Sequence, residues 1–170
     1  MRNYRPSIME RDSFIATFGG LYENSQWIAA SAWDQGLTSV ADRVSGLLGV
    51  LRQVVDEAGQ GPQLGLLRAH PDLAGRLAKA GQLTHASRRE QARAGLDQCS
   101  ETEFKAFQSL NTQYREKFGF PFIMAVIGAR RDEILDAFRS RVENEPEIEF
   151  ERALSEVHRI ASFRLEAIAE

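Results

Sequence analysis

The stretch PEIEFERALSEVHRIASFRLEAIA occupies residues 146–169. Its apolar residues recur at intervals of three and four, which is the period of an α-helix with one buried face. A proline at the first position suits a helix start, because the first amide groups of a helix have no partner within it. The apolar stripe consists of Phe150, Ala153, Leu154, Val157, Ile160, Ala161, Leu165 and Ile168. The spacing therefore predicts a long amphipathic helix that packs into a core.

One charged residue interrupts this stripe. Arg164 follows Val157 by seven residues, so its side chain points near the centre of the apolar face. A guanidinium keeps its charge, and its burial requires an acidic partner, carbonyl groups or an anionic ligand. A structural role, either in an internal ion pair or with the head group reaching water, is one explanation. A role in holding a ligand is the other, and both stay open here.

The same spacing predicts further helices upstream, over about 9–18, 40–58, 101–118 and 131–142, with a short helix after Asn24 and another that begins at Pro62. Capping boxes, in which a serine precedes an acid by three residues, are predicted at Ser7–Glu10, Ser39–Asp42, Ser87–Glu90 and Ser100–Glu103. We therefore predict an all-α, single-domain bundle of about eight or nine helices over residues 1–170.

Two places depart from the helical pattern. Pro71 disfavours helical backbone at His70, which places that histidine at a forced chain break. The apolar run at 120–127 is short and contains Pro121, and no other run offers it a partner strand. We interpret it as a buried extended segment.

Composition excludes several classes of protein. With 170 residues, 43% hydrophobic and 26% charged, the chain resembles an ordinary soluble domain. The run at 120–127 is far below the roughly 18–20 apolar residues of a membrane span. The 21 basic residues are outnumbered by 24 acidic ones, which argues against nucleic-acid binding. Cys99 is the only cysteine, so no internal disulfide forms, and a cytoplasmic location is expected.

Common catalytic signatures are missing from the sequence. The three histidines lack metal-ligand spacing, and neither a glycine-rich nucleotide loop nor the GxSxG pattern of serine hydrolases occurs. An enzyme with this sequence would act through side chains alone. His70 is a candidate acid or base because imidazole titrates near neutral pH, although a structural histidine explains it too. The capping box explains Ser87 and Glu90 without any function, and it leaves Gln91 unexplained.

Four motifs follow one another along the chain. They are His70-Pro71-Asp72-Leu73-Ala74-Gly75, Ser87-x-x-Glu90-Gln91 with Ala94-Gly95-Leu96, Phe118-Gly119-Phe120-Pro121-Phe122-Ile123, and Glu156-Val157 with Ile160 and Arg164. In this order they resemble the OHCU decarboxylase family, whose full name is 2-oxo-4-hydroxy-4-carboxy-5-ureidoimidazoline decarboxylase. That family carries out the last step from urate to (S)-allantoin in purine catabolism.

The resemblance implies an all-helical lyase that uses neither a cofactor nor a metal, is usually a homodimer, and takes a small ureidoimidazoline as substrate. It places the catalytic histidine at His70. From the chemistry of the reaction we expect His70 to act as general acid and proton donor, and Glu90 to orient the substrate hydroxyl and accept its proton. The residues that the resemblance assigns to substrate binding are Pro71, Ser87, Glu90, Gln91, Phe120, Phe122, Ile123, Met124, Ala125, Val126 and Arg164. Nucleic acid and membrane are not expected as partners.

Two other functions stay open. One is a non-catalytic helical module that binds a ureide or a partner helix through the inward arginine. The other is an isomerase or hydrolase that acts on a related ureide. The decarboxylase hypothesis requires that His70, Glu90 and Arg164 converge on one small cavity.

Overall fold

The computed structural model describes residues 4–74 and 83–170, and these residues contain eight α-helices and no β-strand. The helices are α1 (Arg11–Phe18), α2 (Trp27–Asp34), α3 (Val44–Glu57), α4 (Gln60–Arg68), α5 (His85–Arg93), α6 (Glu101–Phe118), α7 (Arg131–Arg141) and α8 (Pro146–Ala169). Short 3-10 helices occupy Pro6–Ile8, Ser39–Asp42 and Leu96–Gln98. The all-α prediction is confirmed, whereas the domain bounds 1–170 stay a prediction.

The chain divides into two compact units. The first consists of Met1–Ala69 with Val157–Glu170. Its helices α1, α2, α3 and α4 pack in sequence, each against the next, and α3 buries Leu47, Leu51 and Val55 completely. Gly46 allows the 3-10 segment before α3 to fold back closely, since a Cβ there would lie 1.9 Å from the carbonyl oxygen of Val40.

The second unit, His70–Glu156, has an aromatic core. The rings of Phe122 and Phe138 stack with their centroids 3.9 Å apart, and Tyr114 meets Phe122 edge-on at 5.5 Å. Tyr114 lies on α6, which begins with the predicted capping box of Ser100 and Glu103. This helix ends at Gly119, whose φ of +77° is the left-handed conformation that favours glycine.

The other three predicted capping boxes are wrong. Ser7 donates both its N–H and its hydroxyl to the carboxylate of Asp42, at 2.9 Å each, so both residues are engaged with each other. The 3-10 segment at 39–42 is capped by Thr38. Helix α5 begins earlier than predicted, because Thr84 accepts the Ser87 N–H at 3.2 Å and is the N-cap. The box signature does not distinguish between two hydroxyl residues near one helix start.

The remaining predictions about single features of the fold have mixed outcomes, and the predicted helix start at Pro62 is wrong. Helix α4 begins at Gln60, so Pro62 is its third residue and not its first, a position that still needs no amide donor. The predicted break at His70 is confirmed, since α4 ends at Arg68. The run at 120–127 forms neither helix nor strand, and most of it is buried, as predicted. None of the described helices combines the length and hydropathy that a membrane span requires.

Candidate active site

His70 lies just beyond α4 and is only 7% exposed. The proline that follows it prevents the helix from continuing, so the imidazole is carried by a short irregular loop over residues 70–74 and not by a helical turn. Gly75, the last residue of this motif, lies outside the described residues.

Gln91 of helix α5 holds this loop. Its Oε1 accepts the Ala74 N–H at 3.0 Å, and its Nε2 donates to the Asp72 carbonyl at 3.5 Å. Ala74 has a φ of +48°, a left-handed conformation that is uncommon for a residue with a side chain. The Gln91 amide therefore stabilises a backbone conformation that the chain would not favour on its own.

Helix α6 holds the loop from another direction. Asn111 Nδ2 donates to the Leu73 carbonyl at 3.0 Å, and Arg115 Nε donates to Asp72 Oδ1 at 2.9 Å. One turn of α6 thus contacts the loop while Tyr114, from the same turn, packs against Phe120 and Phe122. Helix α6 therefore contacts two stretches of the chain that the sequence analysis singled out, the His70 loop and the 120–126 segment.

Ser87, Glu90 and Gln91 share one face of α5, because residues three and four apart lie above one another on a helix. Ser87 and Gln91 are buried, and Glu90 is half-buried. With Thr84 as the N-cap, the capping explanation for Ser87 and Glu90 is wrong. Their common face is consistent with the binding role that the resemblance assigns to them.

The segment at 120–126 is held through its backbone by buried charged side chains. The Ile123 carbonyl accepts from Arg141 Nη1 at 2.7 Å, and the Ala125 N–H donates to Glu156 Oε2 at 3.0 Å. Glu156 is 1% exposed. Of the predicted binding residues here, Met124 is half-buried, and the buried ones are Phe120, Phe122, Ile123, Ala125 and Val126.

Arg141 belongs to a larger polar cluster. Its Nε donates to Glu149 Oε1 at 2.7 Å, and the Tyr114 hydroxyl donates to the same oxygen at 2.6 Å. Asn144 Nδ2 donates to the other carboxylate oxygen at 3.0 Å. Burial, and then the hydrogen bond to Glu149, raise the pKa of Tyr114 far above its ordinary value, so the phenol stays protonated. The guanidinium also lies over the Phe122 ring, 4.4 Å from its centroid.

Among these buried charges, sequence reasoning missed Arg141 and Glu149, and it noted Glu156 only as part of a motif. Glu149, Ala153 and Glu156 are spaced by four and three residues and share a face of α8, and all three are at most 1% exposed. The signal was the same one that singled out Arg164, a charged residue at helical spacing among apolar ones. Glu149 lies in the first turn of α8, where an acidic residue interacts favourably with the helix dipole, so its position alone does not indicate burial.

Arg164 lies in the first unit, where it forms a buried ion pair with Glu23. Arg164 Nη2 is 2.8 Å from Glu23 Oε2, and the two side chains are 9% and 2% exposed. Its Nη1 contacts the carbonyl oxygens of Gly20 and Leu21 at 3.4 and 3.5 Å. The internal ion pair considered from the sequence is thus confirmed. Substrate binding by Arg164, and its convergence with His70 and Glu90, stay predictions.

The residue before Glu23 is also held. The Tyr22 hydroxyl lies 2.9 Å from His158 Nδ1, and burial lowers the pKa of His158, which favours the neutral imidazole. His158 and Arg164 are both on α8, so the turn that carries Glu23 is bound at two places to one helix.

A cavity of about 390 Å³ adjoins α5 in the second unit. Its described lining includes Ala74, Gln91 and Cys99 but neither His70 nor Glu90. Burial raises the pKa of the Cys99 thiol, which argues against a thiolate nucleophile. Among the described residues, no group of three or more His, Cys, Asp or Glu side chains is arranged to hold a metal ion.

Comparison with known proteins gives consistent matches. The model of the OHCU decarboxylase family matches residues 7–166. The 2-oxo-4-hydroxy-4-carboxy-5-ureidoimidazoline decarboxylase of Haloferax volcanii is 43% identical over 157 residues, which cover 92% of this chain and 89% of that protein. The protein of the same name from Halalkalicoccus jeotgali is 41% identical over 159 residues, covering 94% and 86%. The crystal structure of an (S)-allantoin synthase aligns with a TM-score of 0.75 at 30% identity, covering 96% of this chain and 52% of that one.

Proposed function

Because the chain belongs to the OHCU decarboxylase family, we propose that it converts 2-oxo-4-hydroxy-4-carboxy-5-ureidoimidazoline to (S)-allantoin and CO2, the last step of urate degradation. The family match over residues 7–166 carries this proposal. The loop geometry around His70 and the shared face of Ser87, Glu90 and Gln91 support it.

The substrate itself supplies the electron sink. Its carboxylate and hydroxyl are on one ring carbon, next to a ring C=N bond. When the carbon–carboxylate bond breaks, the electron pair forms a C=C bond to the neighbouring carbon, and the C=N pair moves onto nitrogen, which takes up a proton. The resulting enol becomes the carbonyl of allantoin when its hydroxyl proton leaves and the neighbouring carbon gains a proton. No external sink is required for these steps.

His70 is the proton donor in this proposal. A protonated imidazole at the end of the loop stabilises the charge that develops on the ring and delivers the proton to one face, which yields the (S) product. Glu90 orients the substrate hydroxyl and accepts its proton as the enol collapses. Pro71 and Ser87 contact the substrate from the same loop and the same helix face.

Recognition of the ureide falls to amide and backbone groups. Gln91 first holds the loop through Ala74 and Asp72, and a carboxamide has a second lone pair and a second hydrogen for the substrate. The backbone of the 120–126 segment binds the ureido or ring amide edge. The substrate is a small molecule, and the enzyme acts as a cytoplasmic homodimer without a cofactor, a metal, nucleic acid or a membrane.

Arg164 binds a ring or ureido oxygen and not the departing carboxylate. A tight grip on that carboxylate would stabilise the ground state more than the transition state and slow the reaction. Replacing Arg164 with Lys removes the planar fork while keeping the charge, so kcat/KM should fall. Unchanged kinetics in this variant would leave Arg164 with a structural role only.

To test this proposal, the short-lived substrate is generated in situ from urate. Its decay is followed by absorbance, and the configuration of the allantoin formed is measured by circular dichroism. We expect decay faster than the spontaneous rate and a product of (S) configuration. Decay at the spontaneous rate rejects decarboxylation. A ureide-binding module would bind allantoin without accelerating this decay, and an isomerase or hydrolase would transform a related ureide without releasing CO2.

A further inference from the structure

We propose that Arg141 and Glu156 are positioning residues that bind one edge of the 120–126 segment, so that the opposite edge, centred on Met124, is presented to the substrate. This inference rests on the proposed function, because it assigns the geometry by which that segment recognises a ureide. Neither residue touches the substrate in this account, and both act through the backbone.

One anchor of the segment is Arg141. Its Nη1 donates to the Ile123 carbonyl at 2.7 Å while its Nε donates to Glu149 at 2.7 Å. The Arg141 and Glu149 side chains are 8% and 0% exposed, and Phe122 lies beneath the guanidinium. A planar guanidinium with several donors in fixed directions therefore ties this carbonyl to a rigid cluster.

The other anchor is Glu156. Its Oε2 accepts the Ala125 N–H at 3.0 Å, and its Oε1 accepts from Arg152 Nη2 at 3.0 Å. The Glu156 side chain is 1% exposed, whereas that of Arg152 is 54% exposed. One carboxylate oxygen of Glu156 thus binds the backbone on the buried side. The other oxygen pairs with Arg152, whose positive charge lies on the solvent side.

The two anchored backbone groups, the Ile123 carbonyl and the Ala125 N–H, belong to residues two apart in the chain. This spacing determines which backbone groups of the segment point in the opposite direction. Residues 123–125 belong to neither a helix nor a strand, and in the proposed arrangement they are locally extended, so that successive residues direct their N–H and C=O groups to opposite edges. The Ile123 carbonyl and the Ala125 N–H therefore share one edge, and the N–H and C=O of Met124 face the other.

A donor and an acceptor on the same residue match the chemistry of a ureide. The –NH–CO– unit of a ureido group or ring amide carries an acceptor beside a donor, and a single extended residue pairs with both. Anchoring the opposite edge fixes the direction of these two groups before the substrate arrives, which is the usual benefit of preorganisation. The segment thus recognises the substrate by its amide pattern and not by a charge.

The test compares three variants in the decarboxylation assay described above, in which the substrate is generated in situ from urate. Glu156→Ala removes the acceptor for Ala125, and we expect KM to rise about 10-fold to 100-fold, the effect of losing one charge-assisted hydrogen bond, with kcat changed less than about threefold. Glu156→Gln keeps an acceptor and should bring KM most of the way back to the wild-type value. Arg152→Ala is the matched control, since it removes a solvent-exposed partner of Glu156 and leaves the contact with Ala125 in place, and its kinetics should stay unchanged.

A local readout separates positioning from general loss of structure. Hydrogen exchange at the Ala125 amide should speed up in the alanine variant and stay slow in Arg152→Ala, while thermal unfolding checks that each protein is folded. Should Glu156→Ala not fold, Arg141→Lys replaces it. Lysine keeps the charge but has one nitrogen in place of the separate Nε and Nη1 donors that reach Glu149 and the Ile123 carbonyl, and KM should rise with kcat retained.

An unchanged KM in folded Glu156→Ala, or in folded Arg141→Lys, overturns the inference. A large fall of kcat in Glu156→Gln with unchanged KM also overturns it, because Glu156 would then act through its charge. These outcomes are distinct from failure of the proposed function, in which the wild-type protein itself would not accelerate the decay.

Discussion

Two irregular stretches of the second unit are fixed by different chemistry. The loop that carries His70 is held by neutral amides, with Gln91 and Asn111 bound to its backbone. The segment at 120–126 is held by buried ionised groups, Arg141 and Glu156. Both stretches lack regular secondary structure, so each needs side-chain partners for its backbone polar groups.

The difference fits what each stretch does in the proposed reaction. A proton donor must change its protonation state, and the amides of Gln91 and Asn111 fix the loop without adding a net charge of their own. The recognition segment does not titrate, and buried charges there bind the backbone more strongly than neutral groups do. An ion pair does reach the loop through Asp72 and Arg115, but it is 28% and 47% exposed and therefore screened.

The largest loss of stability is expected when the charged cluster is broken. Glu149→Ala leaves the buried guanidinium of Arg141 without its carboxylate, and the free energy of unfolding should fall by about 3–5 kcal/mol. Urea denaturation measures this change. Glu147→Ala, at an exposed position on the same helix, is the matched control and should stay within about 0.5 kcal/mol. Equal effects in the two variants would contradict the structural importance of the cluster.

A smaller loss is expected when an amide that holds the loop is removed. Gln91→Leu leaves the Ala74 N–H unsatisfied, and the free energy of unfolding should fall by about 1–3 kcal/mol. The decarboxylation rate should fall as well, because the loop orients His70. Gln113→Leu, at an exposed site on α6, serves as the control in both urea denaturation and the rate assay. A fully active Gln91→Leu protein would show that the loop does not depend on this amide.

The smallest effect is expected at the half-exposed ion pair. Arg115→Ala should lower the free energy of unfolding by only about 0.2–1 kcal/mol, since solvent screens the pair with Asp72. A double-mutant cycle with Asp72→Asn isolates the coupling between the two side chains. A coupling energy as large as that of the buried cluster would erase the distinction between the two stretches.

Local signals in the sequence sufficed for much of the fold. The stripe on α8, the capping box at Ser100 and the break before Pro71 depend on neighbouring residues only, and all three are confirmed. The predicted start of α5 was wrong because Thr84 and Ser87, three residues apart, both carry a hydroxyl that can cap a helix.

Other features depend on contacts between distant residues. The partners of Glu149 and Glu156 include Tyr114 and the backbone of the 120–126 segment, which are 31 or more residues away along the chain. No local pattern reports such a contact. For the same reason Arg164 could be identified as inward-facing from its helical position, while its partner Glu23, 141 residues earlier, could not be named.

In the proposed reaction His70, carried on the loop that Gln91 and Asn111 hold, donates the proton during decarboxylation. The most direct test compares His70→Asn with the wild type and with His85→Asn, an exposed histidine, in the in situ assay with circular dichroism of the product. We predict that His70→Asn folds normally but loses turnover by about 10²–10⁴-fold and with it the (S) excess, whereas His85→Asn behaves as wild type. A folded His70→Asn protein that forms (S)-allantoin at the wild-type rate would show that His70 is not the proton donor.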